Sequence, residues 1–187
     1  MGTRGFVGFV VDGTEKISYN HWDSYPSGVG LDVLEWLRGV VSESESLHRD
    51  LAKALSVVPD RAPTDVEREA LAEFEDSRVG SADDFWYRLL RGTQGKPGKI
   101  LRAGYYEDAK EFPLDSLFCE WGYLVDFDNR VLEVYEGFQQ TQPTEGRWAH
   151  EIGTTNGYAP VKRVATFAFD ALPADGEFLA LDRDEED

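Results

Sequence analysis

The sequence predicts an α+β fold in which an antiparallel sheet, built from an N-terminal hairpin and C-terminal strands, is covered by a central helical segment. Strand-like patterns occupy both ends of the chain, and apolar residues recur at helical spacing between them. Such blocks of like elements favour α+β over alternating α/β. The 187 residues, 41% of them hydrophobic, can form one core. We therefore predict a single domain over residues 1–181.

The first hairpin combines a β-branched and aromatic run over 6–11, the turn pair Asp12-Gly13 and a return strand over 15–22. Pro26 removes a ladder donor and is expected to end the strand. Alternate side chains of a strand share one face. If the return strand continues to Pro26, one face carries Tyr19, His21, Asp23 and Tyr25.

The middle of the chain has helical patterns. Apolar residues recur every three or four positions over 31–41 and again over 47–58. A capping box at Thr64 and Glu67 begins a third helix. A further cap at Ser81 and Asp84 precedes a helix over 85–90, and Gly92 fits the position after its end.

The second half returns to strand patterns. Residues 100–106 predict a short strand, and 117–127 and 131–138 predict the clearest hairpin of the chain. The polar stretch 139–160 predicts a long loop, and 161–169 a last strand. The apolar patch 178–181 is expected to dock back onto the fold, and the acidic residues 182–187 predict a disordered tail.

The charge of the chain limits its partners. With 36 acidic and 19 basic residues, the formal net charge is −17. An acidic body repels phosphate backbones and anionic membranes, so direct nucleic-acid and membrane binding are disfavoured. The charge either keeps the chain soluble or steers it toward another protein with a basic surface, and a nucleic-acid mimic is one form of the second interpretation. The single cysteine and the lack of a signal-peptide pattern predict a cytoplasmic protein.

Two sequence blocks are distinctive. The first is TRGFVGF over 3–9 with YNHWDSYPSG over 19–28, and the second is EWGYLVDF over 120–127 with LEVYEGF over 132–138. Both resemble a group of uncharacterised bacterial and phage proteins. The resemblance implies no activity, cofactor or catalytic residue, although a phage source would be consistent with an inhibitor of a host protein.

The densest polar cluster is the set Tyr19, His21, Asp23 and Tyr25. It has three interpretations: a hydrogen-bonded structural network, a ligand or partner site, or a catalytic base in which the carboxylate orients the imidazole. His150 is a candidate third ligand for a metal site with His21 and Asp23, but no metal-ligand spacing supports one, so we predict neither a metal nor another cofactor.

A second candidate lies in the long loop, where Arg147, Trp148 and His150 stand close together. An exposed Trp–Arg pair is a good interface anchor, and local packing is the alternative. Cys119 alternates with apolar residues and is expected to face the core. The leading hypothesis is a non-enzymatic, acidic protein-binding or inhibitory module. The alternative is a small-molecule-binding protein or hydrolase that uses the Tyr19 face.

Overall fold

The computed structural model describes residues 2–80 and 85–182, in which the chain forms seven β-strands and six α-helices. The strands are β1 Gly5–Val11, β2 Thr14–Asn20, β3 Ser56–Val57, β4 Tyr105–Tyr106, β5 Trp121–Asp126, β6 Val131–Glu136 and β7 Lys162–Ala168. The helices are α1 Leu31–Glu43, α2 Glu45–Ala54, α3 Asp65–Leu71, α4 Phe85–Leu90, α5 Pro97–Ala103 and α6 Asp175–Leu179. Of the described helices, none is long and apolar enough to cross a membrane.

The main sheet confirms the predicted α+β fold. Its five strands have the order β2-β1-β5-β6-β7, so the N-terminal hairpin and the C-terminal strands form one sheet. The pairs β1–β2, β5–β6 and β6–β7 are antiparallel, but β1 and β5 are parallel. The sheet is therefore mixed, because β2 returns the chain to the end where β1 starts, and after the helical middle β5 begins at that same end.

One face of the sheet carries the larger hydrophobic core. Alternate side chains of β1, β5 and β6 pack there against α1, α2, α5 and α6, as the predicted helical cover requires. Docking of the C-terminal segment is confirmed, since Phe178 of α6 is completely buried against this face. The buried members from the sheet include Val7, Phe9, Tyr123, Val125 and Val134.

The opposite face of the sheet is covered by irregular chain. Phe6, Val10 and Leu124 are buried there beneath residues of the 109–119 and 148–161 segments. Between β6 and β7 the described chain has no helix or strand, which confirms the predicted long loop. Because this loop buries apolar side chains, it is part of the fold and not merely a connection between strands.

Helix α2 ends at Ala54, four residues before the end predicted from its apolar spacing. The cause is Lys16 of β2, whose ammonium group donates to the carbonyl oxygens of Ala52, Lys53 and Leu55 at 2.8, 2.9 and 2.6 Å. A cation at the C-terminus of a helix satisfies carbonyl groups that have no partner within the helix. Lys16 is only 9% exposed, so a buried strand residue sets this helix end.

Other element predictions have mixed outcomes. The capping box is confirmed, because the amide of Glu67 donates to Thr64 Oγ1 at 3.2 Å and the amide of Thr64 donates to Glu67 Oε2 at 2.7 Å. The strand predicted over 100–106 is wrong over most of its length, since α5 occupies 97–103 and ends at Gly104 with φ 73°. Gly92 lies inside a 3₁₀ turn and is not a helix cap. The predicted cap over 81–84 lies outside the described residues, as does the predicted tail 182–187 except Asp182, which ends a 3₁₀ turn and is not disordered.

Candidate functional site

Tyr19 and His21 lie side by side at the end of β2. A hydrogen bond of 2.6 Å joins Tyr19 Oη and His21 Nδ1, and the His21 ring meets Trp22 edge-on with centroids 4.5 Å apart. Burial, together with the charges of Arg91 and Arg4, lowers the pKa of His21. Burial also raises the pKa of Tyr19. Both groups are therefore neutral at pH 7. They form a local hydrogen-bonded pair, and no carboxylate contributes to the pKa of His21 in a way that would make it a stronger base.

Asp23 and Tyr25 do not share a strand face with this pair. Strand β2 ends at Asn20, and the chain turns sharply at Asp23, whose φ is 56°. Tyr25 lines an apolar cleft beside the N-terminal segment, whereas Asp23 lines a separate polar cleft. The prediction that all four side chains lie on one face is wrong, because the strand stops before the alternation reaches them.

The turn that follows β2 is held by hydrogen bonds from several sides. The side-chain amide of Asn20 donates to Ser24 Oγ at 2.7 Å and to the carbonyl oxygen of Trp22. The amide of Ser24 donates to the carbonyl oxygen of Thr3 at 3.1 Å, and the Tyr123 hydroxyl donates to the carbonyl oxygen of Ser24 at 2.8 Å. Asn20 and Ser24 are both almost completely buried. The turn is therefore part of the packed fold and fixes the directions of the neighbouring aromatic side chains.

The exposed aromatic side chains gather at one end of the sheet. Within residues 2–80 and 85–182, the exposed Trp, Tyr and Phe side chains are Trp22, Tyr25, Phe118 and Phe138, with exposed fractions of 50, 37, 44 and 48%. The topology brings them together. Since β1 and β5 are parallel and each has an antiparallel hairpin partner, the starts of β1 and β5 and the ends of β2 and β6 lie at the same end.

Three of these side chains, Tyr25, Phe118 and Phe138, line a cleft of about 500 Å³, which we call the aromatic cleft. It is lined by Gly2, Thr3, Arg4, Tyr25, Leu117, Phe118, Glu120 and Phe138. Trp22 stands beside it, with its ring so close to Gly2 that any side chain at that position would overlap the indole. A cleft of this volume, with mostly apolar walls and few polar groups, is typical of a binding site.

Arg4 and Glu120 provide the charges of the aromatic cleft. The Arg4 guanidinium lies over the Phe118 ring, 5.5 Å from its centroid, and the Arg4 backbone amide donates to Glu120 Oε1 at 3.3 Å. A cation stacked on an aromatic face holds that ring in place. Phe118 is therefore positioned by Arg4 even though nearly half of its surface is exposed.

Phe138 has a backbone conformation that large side chains rarely adopt. Its φ is 55°, in the left-handed region. The conformation is held because the Phe138 amide donates to the carbonyl oxygen of Ser116 at 2.6 Å and the Gln139 amide donates to Ser116 Oγ at 3.0 Å. Strained residues of this kind concentrate at functional sites. Here the strained conformation presents a half-exposed aromatic ring to the cleft.

The second predicted candidate, in the long loop, points inward. Trp148 is 6% exposed and meets the rings of Tyr135 and Phe6 edge-on, with centroids 4.7 and 5.6 Å apart. This burial supports the local-packing interpretation, and Trp148 does not offer an exposed anchor to a partner. His150 is exposed, but it does not line the aromatic cleft.

Arg147 is occupied by acidic side chains of the sheet. Its Nε donates to Glu133 Oε2 at 2.9 Å, its Nη1 donates to Glu15 Oε1 at 3.3 Å, and its Nη2 donates to Asp126. Asp126 is completely buried and Glu133 is 5% exposed. Arg147 thus neutralises buried carboxylates and attaches the long loop to the sheet, so its charge serves the fold and not an exposed anchor.

The structure offers little support for nucleophilic or metal chemistry. Cys119 is completely buried, and burial, with the nearby Asp115 and Glu120 charges, raises its pKa well above the usual value. A reactive cysteine needs the opposite shift and access to substrate. Within residues 2–80 and 85–182, no three His, Cys, Asp or Glu side chains are grouped so that they could hold a metal ion.

Sequence reasoning missed Arg4, Leu117, Phe118 and Phe138 as site residues. The signal was present in the predicted hairpin, whose apolar runs over 117–127 and 131–138 are longer than β5 and β6. Leu117 and Phe118 precede β5, and Phe138 follows β6. These residues, which lie outside the paired strands, line the aromatic cleft. An apolar run that exceeds its paired strand was therefore the available clue.

No family model, curated protein or solved structure matches this chain. The resemblance of the two sequence blocks to bacterial and phage proteins stays a prediction.

Proposed function

We propose that this protein binds another protein through the aromatic cleft, which accepts an apolar side chain from a partner with a basic surface. One observation carries the proposal: three of the four exposed aromatic side chains in the described part of the chain, Tyr25, Phe118 and Phe138, line one cleft. Isolated exposed apolar residues are ordinary, whereas a contiguous group marks an interaction site.

The composition of the cleft suits a protein interface. Aromatic residues and arginine carry much of the binding energy where proteins meet. Tyr25, Phe118, Phe138 and Arg4 belong to these types, and all four line the same depression. The rigid turn after β2 and the hydrogen bonds around Phe138 hold the rings before a partner arrives. Such preorganisation lowers the entropy that binding costs.

The charge of the chain supports a basic partner. A net charge of −17 attracts basic proteins over distances of about a Debye length, about 8–10 Å at physiological salt, and repels acidic ones. Glu120 supplies a carboxylate at the cleft itself. Long-range attraction of this kind accelerates association, while the apolar anchor determines how long the complex lasts.

Binding is better supported than catalysis. Neither His21 nor Cys119 lines the aromatic cleft. The alternative hypothesis used the Tyr19 face as an active surface, but that face is divided by the turn at Asp23. The proposed function is therefore a non-enzymatic binding module.

A displayed peptide library tests the proposal. Peptides are selected on the wild-type protein and their affinities compared with those for the Phe118→Ser/Phe138→Ser double variant. Because both rings are about half exposed, the variant is expected to fold. We expect selected peptides to carry an aromatic or large aliphatic residue flanked by Lys or Arg. Their affinity for the variant should fall by about tenfold or more, which is about 1.4 kcal/mol.

A matched control is available elsewhere on the surface. Leu47 and Ile152 are also exposed apolar residues, at 56 and 86%, and neither lines the cleft. The Leu47→Ser/Ile152→Ser variant should bind the selected peptides as wild type does. Peptides that bind the cleft variant as tightly as wild type, or that lack basic residues and bind independently of salt, would contradict the proposal.

A further inference from the structure

A second cleft, of about 590 Å³, lies between the segment 22–35 and the loop 91–96. We call it the polar cleft. The first wall contributes the acidic side chains Asp23, Asp32 and Glu35, and the second contributes the basic side chains Arg91 and Lys96. Opposite charges therefore face each other across one cavity.

These charges are not neutralised by one another. In the part of the chain that the structure describes, no ion pair joins the acids of one wall to the bases of the other. Elsewhere on the surface, arginine side chains do pair, as Arg49 does with Asp12 at 2.6 Å and Arg130 with Glu45 at 2.8 Å. The two walls of the polar cleft hold their charges apart.

Arg91 is oriented by its own loop. Its Nη1 donates to Gln94 Oε1 at 2.7 Å, and this hydrogen bond fixes the guanidinium at the wall of the cleft. The Nε atom is buried and is not accessible to a ligand. A cation that is already held in place on the wall is preorganised to bind a carboxylate.

The floor of the cleft contains an unused acceptor. Asn20 is only 3% exposed, and its amide nitrogen is already engaged by Trp22 and Ser24. Its Oδ1 accepts no hydrogen bond from the described residues. A Cβ atom at Gly95 would lie 2.9 Å from this oxygen, so a side chain there would cover the acceptor. Gly95 also has φ 71°, a backbone conformation that favours glycine.

We propose that the polar cleft binds a small zwitterion of about dipeptide size. Its ammonium group lies toward the acidic wall and Asn20 Oδ1, and its carboxylate lies toward Arg91 and Lys96. A ligand with a single charge would meet like charges on the opposite wall, whereas a zwitterion complements both walls. The cavity is within the usual range of about 300–1,000 Å³ for small-molecule sites, and Trp22 at its edge offers a flat apolar surface to the ligand backbone.

The test uses alanyl-alanine, its N-acetyl derivative and its C-terminal amide as probes. Binding is followed on uniformly ¹⁵N-labelled full-length protein through the backbone amides of Gly92 and Gly95 and the indole of Trp22. We expect alanyl-alanine to shift these signals in a saturable way. Each capped derivative, which retains only one of the two charges, should bind at least about tenfold more weakly.

Charge-removing variants assign the two walls. Lys96→Gln and Glu35→Gln replace exposed side chains, so both should fold and each should weaken alanyl-alanine by about threefold or more. Lys96→Gln should leave the affinity of the C-terminal amide unchanged, because that probe has no carboxylate. Lys162→Gln, an exposed lysine outside the cleft, is the matched control and should bind alanyl-alanine as wild type does.

Three results would overturn the proposal: no saturable shift with alanyl-alanine, equal binding of the capped derivatives, or equal losses in Lys96→Gln and Lys162→Gln. The proposal is independent of the aromatic cleft. The Phe118→Ser/Phe138→Ser variant should therefore retain alanyl-alanine binding even if it loses every selected peptide.

Discussion

The left-handed backbone of Phe138 leads to a prediction about stability with an unusual sign. Replacing alanine by glycine within a folded segment normally costs about 0.5–1 kcal/mol, because glycine loses more backbone freedom on folding. At φ 55° the balance changes, since an L side chain costs about 1–2 kcal/mol there and glycine costs nothing. We therefore expect Phe138→Gly to be more stable than Phe138→Ala by about 0.5–1 kcal/mol.

The comparison between the two variants isolates the backbone. Both remove the same ring, so the lost packing of Phe138 cancels in their difference. Urea unfolding followed by far-UV circular dichroism measures the free energy of unfolding of each variant. In thermal unfolding, the same difference corresponds to about 1–4 °C in midpoint for a chain of this size.

Phe118 provides the matched control. It lines the same cleft with a similar exposed fraction, 44% against 48%, but its φ is negative. Phe118→Gly should therefore be less stable than Phe118→Ala by about 0.5–1 kcal/mol. If glycine is the less stable substitution at both positions, the left-handed conformation of Phe138 is not strained and the reasoning is refuted.

Two further predictions concern charged and titratable groups. Arg147→Met leaves the buried carboxylates of Glu133 and Asp126 without their cation and should lower the free energy of unfolding by about 3–5 kcal/mol. The control Arg38→Met breaks an exposed ion pair and should change the free energy of unfolding by less than about 1 kcal/mol. Equal losses of the two variants in urea unfolding would contradict this prediction. His21 should titrate in ¹H–¹⁵N spectra below its ordinary pKa of 6.5, because burial disfavours the imidazolium. The unfolded chain then binds the proton more readily, so stability should fall as the pH drops below 6.5, and His21→Gln should lose less stability over the same range.

Local sequence patterns predicted most of the elements. The Asp12-Gly13 pair, the capping box at Thr64 and the hairpin around Asp128 depend on interactions within a few residues, and the structure contains all three. The block order of strands and helices predicted the α+β class for the same reason. The strand predicted over 100–106 failed because Pro97 at a helix start and Gly104 at its end outweigh the apolar composition between them.

The candidate site was much less predictable. The alternation of a strand predicts that Tyr19, His21, Asp23 and Tyr25 share a face. It does not reveal that the side chain of Asn20 bonds to Trp22 and Ser24 and so stabilises a turn that ends the strand. The sequence left both exposure and local packing open for the loop residue Trp148. Its burial depends on Phe6, which is 142 residues away in the sequence. The aromatic cleft depends on contacts of the same long range.

The sequence by itself determined the class of fold, the acidic surface and the local turns and caps, because these follow from composition and from neighbours along the chain. Only the tertiary structure decided which residues meet at the ends of the strands. The parallel pairing of β1 with β5 places segments 2–4, 25, 117–120 and 138 around one cleft, although up to 136 residues separate them. No local pattern encodes that pairing, since it results from the burial of both faces of the sheet by distant segments.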